Sequence, residues 1–386
     1  GGETIKSTHD KVLILSDWTN ESPKEVMRTL MRGSEWYSIK KGNAQSITGA
    51  AKAGKLKDYL DREKVRMPPM DISDVAYDAF LINGKIESNI DAKPGDTIRL
   101  RLINAGSSTY FYAHSATGPI TIITADGQDV VPTEVDHLLI GMAETYDVIV
   151  TIPKSGSFEF RTTAQDNSGH ASVFLGKGPR ILATSIPSPN LYTMDEMLQG
   201  AMEDEDVPLE ELRTASRPSA PYAFLEATEP TAIKGKTVRK IELRLTGDMN
   251  KYIWSFDGKT LAEAKPIPVN KDEVLEIKLI NDTMMHHPLH LHGHFFRLLN
   301  RNGSKSPLKH TVDVPPMGKR TIQFHANEVG DWFFHCHLLY HMDAGMARVF
   351  SYRAADEPTY EPSLDPKLIN PSFFLVDGTL QNNMTM

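Results

Sequence analysis

Short runs of β-branched and large apolar residues recur along almost the whole chain, most of them closed by a turn signal. That rhythm leaves little room for any architecture other than stacked β-sheets. The runs cover 11–18, 79–82, 97–104, 120–124, 146–152, 157–163 and 171–175, and then 239–245, 274–279, 295–299, 320–324, 331–337 and 346–352. Between the early runs stand Asn83-Gly84, Pro94-Gly95-Asp96, Asp126-Gly127 and Ser155-Gly156, residues whose backbone preferences reverse the chain. Before the linker, 23–36 reads as helical. The expected fold class is all-β, two consecutive sandwiches over 1–176 and 236–353. A Pro-, Ser- and acid-rich linker with a short helix fills 177–235, and a tail at 354–386 wraps the surface. A length of 386 residues suits two or three domains at roughly 150 residues each.

Charge and hydropathy remove several functions. With 42 basic and 50 acidic residues the formal charge is −8, so no basic field exists to hold nucleic acid phosphates. No apolar run approaches the ~18 residues of a membrane span, and the first residues lack the pattern of an export signal. A single cysteine excludes an intramolecular disulfide.

The histidines are gathered rather than scattered, with ten of fourteen between His286 and His341. They sit in His286-His287-Pro288-Leu289-His290-Leu291-His292-Gly293-His294 and in His335-Cys336-His337, followed by His341, Met342, Asp343 and Met346. Side chains alternate faces along a strand, so Cys336 points one way and His335 and His337 the other. A thiolate joined by His287, His341 and a distant thioether from Met346 is the donor set of a blue-copper site. His290 and His292 are two apart in an extended segment and can meet His335 and His337 across the sheet, which predicts a second copper site. Because Cys336 is flanked by ligands of that second site, Cys336, His335 and His337 are the expected catalytic path for electrons.

The neighbouring residues keep alternatives. His286 and His294 read as supporting or surface groups, and His9, His114, His137, His170, His310 and His325 as surface or hydrogen-bonded residues. Met284, Met285, Met317 and Met342 either receive incoming Cu(I) or fill the core, and Asp343 is a further substrate-side candidate. Met194, Met197 and Met202 lie in an acidic stretch and are either soft ligands or apolar contacts of a solvated helix.

The two histidine segments resemble the third and fourth copper-ligand motifs of the multicopper oxidases. HCHLLYHMDAGM, with LSDWTNESPKEVMRTL near the start, looks like the bacterial copper-resistance branch. The stretches LINGK, RLRLINA, ADGQDV and AETYDVIV are similar to the copper-free second cupredoxin domain of three-domain members, and 236–353 is similar to the third. The resemblance implies two cupredoxin-like Greek-key sandwiches and copper as cofactor. It implies a type 1 copper on His287, Cys336, His341 and Met346, a type 2 ligand in His290, and type 3 ligands in His292, His335 and His337. It also implies O2 as acceptor, Cu(I) or a phenol as donor, and a periplasmic location. One departure is large: the family's trinuclear cluster takes four more histidines from two His-x-His motifs of a first domain, and His114, His137 and His170 form no such pair. The expectation is a first cupredoxin domain lost by truncation of the same precursor or supplied by another chain. Without it, the alternative is an electron-transfer or copper-binding module.

Overall fold

A computed structural model describes residues 6–64, 72–192, 208–215, 217–233 and 238–352. The strand His9–Trp18 buries Leu13 and Leu15 and exposes Val12 and Ile14, the period-two pattern of a sheet with one covered face. It pairs parallel to Thr97–Asn104 and antiparallel to Ala79–Ile82. The sheet continues through Thr145–Thr151, Ile120–Ala125 and Gln128–Val135. The facing sheet runs Glu87–Ile90, His170–Lys177, Gly156–Ala164, Phe111–Ser115 and Leu138–Ile140, with Arg180–Ile181 added beside Gly156–Ala164.

The second sandwich repeats this order strand for strand. One sheet runs Ile253–Phe256, Val238–Asp248, Val274–Asn281, Lys319–His325, Phe296–Leu298 and Leu308–Lys309. The other runs Ile267–Pro268, Ala347–Ser351, Asp331–Cys336, His287–Leu291 and Thr311–Val314. In this repeat, Phe111–Ser115 and Gly156–Ala164 occupy the places of His287–Leu291 and Asp331–Cys336. By register Phe111, Arg161 and Thr162 stand where the second unit has His287, His335 and Cys336, and only His114 repeats a histidine, at the place of His290. The first unit has the frame without a thiol or a converging donor set among the described residues.

Two differences from the sequence expectations are physical. Four helices, Pro23–Met31, Trp36–Lys41, Ile47–Lys52 and Leu56–Lys64, separate the first two strands. The first is started by a capping box in which Ser22 and Glu25 bond each other's backbone; the later ones are short and interrupted by Gly42 and Gly54, so no long apolar stripe announces them. The described part of 177–235 holds the helix Leu209–Thr214, and beyond it Tyr222 and Leu225 are buried, with Tyr222 bonding both sandwiches. Met194, Met197, Met202 and the tail 354–386 lie outside the described residues. Among the described residues no helix is long and apolar enough to cross a membrane.

The sandwiches meet beside the short helix that carries His341. Asp17 accepts the backbone N–H groups of Ser107, Ser108 and Thr109, and the Ser107 carbonyl accepts the N–H of Leu339. The short helix Leu339–Asp343, which carries His341, therefore rests on the first unit.

Candidate metal centre

His287 enters at the start of a strand, Cys336 ends the neighbouring one, and His341 lies on the helix just beyond. Cys336 Sγ is 3.6 Å from His287 Nδ1 and 3.9 Å from His341 Nδ1, and the two nitrogens are 3.2 Å apart. A point equidistant from the three donors lies about 2.1 Å from each, within the roughly 2.0–2.3 Å of first-row metal bonds to imidazole and thiolate. All three side chains are fully buried, and among the described residues they are the one group of three or more donors that converges this closely. Met346 is buried beside them: its carbonyl accepts the Cys336 N–H and its own N–H bonds the His341 carbonyl.

The outer nitrogens of both histidines are occupied, which sets their tautomers. His341 Nε2 is 2.8 Å from the Asp74 carboxylate, which also accepts the Tyr252 hydroxyl at 2.5 Å. Thr283 gives its hydroxyl proton to Asn281 and receives the N–H of His287 Nε2 at 2.7 Å. Each Nδ1 is thus left with a lone pair aimed at Cys336. Trp254 stacks on His341 with centroids 3.9 Å apart and closes the pocket. Without metal, burial pushes the Cys336 thiol well above its usual range, so metal binding must displace a proton. Burial, reinforced by His341, drives His287 well below the usual imidazole value. For Asp74, burial acts upward, but the hydrogen bond from His341, joined by that from Tyr252, outweighs it and holds the carboxyl below its ordinary value.

On the opposite side of Cys336, His335 and His337 face His290 and His292, with ring centroids of 4.9–6.0 Å among neighbouring pairs. His292 Nε2 and His335 Nε2 are 3.2 Å apart. His335 Nδ1 donates to the Cys336 carbonyl and His290 Nδ1 to the His310 carbonyl, leaving both Nε2 atoms free to ligate. His337 Nδ1 is buried with no hydrogen-bond partner among the described residues, the position of a donor awaiting a ligand. Burial lowers His290 to about 4 and His335 to about 3, and also lowers His292 and His337. These rings are neutral at neutral pH, the state that binds metal.

Sequence models of the multicopper oxidases match residues 9–176 and 236–356. Copper resistance protein A of Pseudomonas syringae pv. tomato is 31% identical, over 90% of this chain and 72% of that protein. The chain belongs to the multicopper oxidases. Copper resistance protein A of Escherichia coli is also 31% identical, again over 90% of this chain and 72% of the relative. Multicopper oxidase MmcO of Mycobacterium tuberculosis is 34% identical over 88% of this chain and 62% of its own. A laccase structure from Botrytis aclada shares the fold, with a TM-score of 0.65 at 18% identity over 97% of this chain and 68% of that one. The protein is a copper-dependent oxidase of cupredoxin-like architecture with copper as its cofactor.

Within this multicopper oxidase the substrate-side candidates separate. Met285 is 4% exposed and packed in the core. Met284 and Met342 are half-buried, Asp343 is exposed, and exposed Met317 donates its N–H to the Thr283 carbonyl. His286 is a supporting group, bonded to Asp313 at 2.9 Å and Gln165 at 3.1 Å; His294 bonds Tyr352 at 2.7 Å. His310 lies closer to the site than its spacing suggested, 5.2 Å from His290 between ring centroids. Sequence reasoning missed Asp74, Trp254 and Thr283 entirely. Asp313, which bonds His286 from the wholly buried strand Thr311–Val314, was missed as well.

Proposed function

We propose that His287, Cys336, His341 and the Met346 thioether would hold a type 1 copper able to accept single electrons from a reduced donor, and that His290 as type 2 ligand and His292, His335 and His337 as type 3 ligands would hold part of a copper centre able to reduce O2 to water. Bound copper supplies the one-electron chemistry that these side chains lack. The observation that carries the reading is the back-to-back placement around Cys336: its thiol faces His287 and His341, while its covalent neighbours face His290 and His292. The thiol and the opposite imidazoles are therefore linked through a few bonds of one strand.

The remaining histidines of the O2-reducing centre come, in this reading, from a further cupredoxin domain in the same precursor or on a separate chain. In support, only His292 and His335 of the four bring ring nitrogens as close as 3.2 Å. Cu(I) is the proposed physiological donor and phenols are secondary. His287 and His341 have no exposed surface, and Asp74 covers the outer nitrogen of His341. An aromatic donor finds no imidazole edge to touch, whereas a cuprous ion needs only a thioether or carboxylate nearby. The names of the relatives support a role in copper resistance, and the proposed compartment is the periplasm.

The test is copper bound per chain after loading and desalting. About four coppers would mean that a complete blue and trinuclear set is present, and about one that the preparation holds the blue centre alone and reduces no oxygen. Replacing Met284 and Met342 together with Leu should slow cuprous oxidation at least tenfold and spare phenol oxidation; equal cuprous rates would refute the donor assignment.

A further inference from the structure

The first sandwich lacks copper ligands, yet it sends a carboxylate into the second at a point where a ligand is held. Asp126 lies in the turn between Ile120–Ala125 and Gln128–Val135, in the left-handed conformation with φ 48°, a region that Asp tolerates better than most residues. Its Oδ1 accepts the Thr145 N–H of its own unit at 3.0 Å. Its Oδ2 crosses to the second unit and accepts the N–H groups of His310 and Thr311 at 3.0 and 3.1 Å. The same oxygen is 3.0 Å from the ammonium of Lys309, a residue with no exposed surface. Glu144, also from the first unit, meets that ammonium at 3.1 Å and accepts the Tyr222 hydroxyl at 2.7 Å. Three consecutive residues, Lys309, His310 and Thr311, are thus pinned by one carboxylate.

That pinned segment sets His290. The His310 carbonyl is 2.8 Å from His290 Nδ1, and Thr311 Oγ1 is 3.1 Å from it. A carbonyl only accepts, so Nδ1 carries the proton and Nε2 presents the lone pair. We propose that Asp126, anchored by Lys309 and Glu144, is a positioning residue that fixes the tautomer and orientation of His290 from the neighbouring sandwich. The copper-free unit then serves the metal-bearing unit directly, and its relative placement becomes part of the site. The proposal rests on the reading of His290 as a ligand only for its consequence; the tautomer is a property of the metal-free chain.

The experiment uses the full metal-free chain labelled with 15N-histidine, with the long-range 1H–15N spectrum reporting each ring's tautomer and His290→Gln assigning the signal. Wild type should show a single Nδ1–H form at His290. Asp126→Asn should mix the tautomers and speed exchange of that proton at least tenfold, with His287 and His341 unchanged. Because Asp126→Asn leaves Lys309 buried against a single carboxylate, a second variant, Asp126→Asn with Lys309→Met, removes the pair together and keeps the core apolar. A fixed Nδ1–H tautomer with unchanged exchange in whichever variant folds overturns the proposal. Loss of copper binding at His290 in wild type would overturn the ligand reading instead, and would leave the spectrum as it was.

Discussion

Replacing Asp74 with Asn isolates the one group that both occupies the outer nitrogen of His341 and comes from the other sandwich. Asp74 Oδ2 accepts two protons, from His341 Nε2 at 2.8 Å and from the Tyr252 hydroxyl at 2.5 Å, and it does so in a buried setting. Hydrogen bonds to a charged acceptor contribute about 1.5–3 kcal/mol each, and neutral ones about 1. An Asn carbonyl can keep one bond but in its neutral form, so the imidazole loses about 1–2 kcal/mol of support. Removing such outer partners typically lowers metal affinity by about 10–100-fold. Copper should therefore bind the His287, Cys336 and His341 site at least tenfold more weakly in Asp74→Asn, read by competition with a chelator at the copper–thiolate band. Tyr252→Phe keeps the carboxylate–imidazole bond and removes no partner of a ligand, so it should change affinity clearly less than Asp74→Asn does. Equal affinities for Asp74→Asn and wild type would refute the argument that this carboxylate holds the ligand.

Other outcomes follow from the same geometry. Cys336→Ser should abolish the copper–thiolate band while the near-UV spectrum persists, since the hydroxyl is close in volume; a variant that stayed blue would remove Cys336 from the site. Gly293 has φ 70°, and an added Cβ would stand 2.5 Å from the Trp332 ring. Gly293→Ala should therefore cost about 1–3 kcal/mol in denaturant unfolding, and an unchanged midpoint would show that the turn relaxes freely. Burial, with His137 adding to it, holds His114 at about 3. The unfolded chain takes up that proton near pH 6.5, so the contribution is complete above about pH 6.5 and is lost as pH falls toward the folded value. The slope is up to about 1.4 kcal/mol per pH unit, and His114→Asn should flatten it between pH 6 and 4; identical slopes would place the acid sensitivity elsewhere.

Much of the fold was legible because it is local. All thirteen runs with period-two or continuous apolar character became strands, while Glu87–Ile90 and Phe111–Ser115 are among those that escaped because they are short and carry mixed polarity. The alternation of His335, Cys336 and His337 on one strand separated two donor sets before any tertiary contact was known. The Pro- and acid-rich composition of 177–235 carries no signal of packing, and only the tertiary structure reveals that Tyr222 bonds both sandwiches.

The residue types, their spacing and the period of a strand determined by themselves that a thiolate and four imidazoles would face opposite ways. Tertiary structure alone decided which nitrogen of each imidazole is free. Asp74 reaches His341 across 267 positions, and Asp126 holds Thr311 across 185. No local pattern encodes such partners, because a hydrogen bond between sandwiches depends on how two independently patterned sheets dock. The donors are written in one short stretch of chain; their tautomers and their enclosure come from the seam between the units.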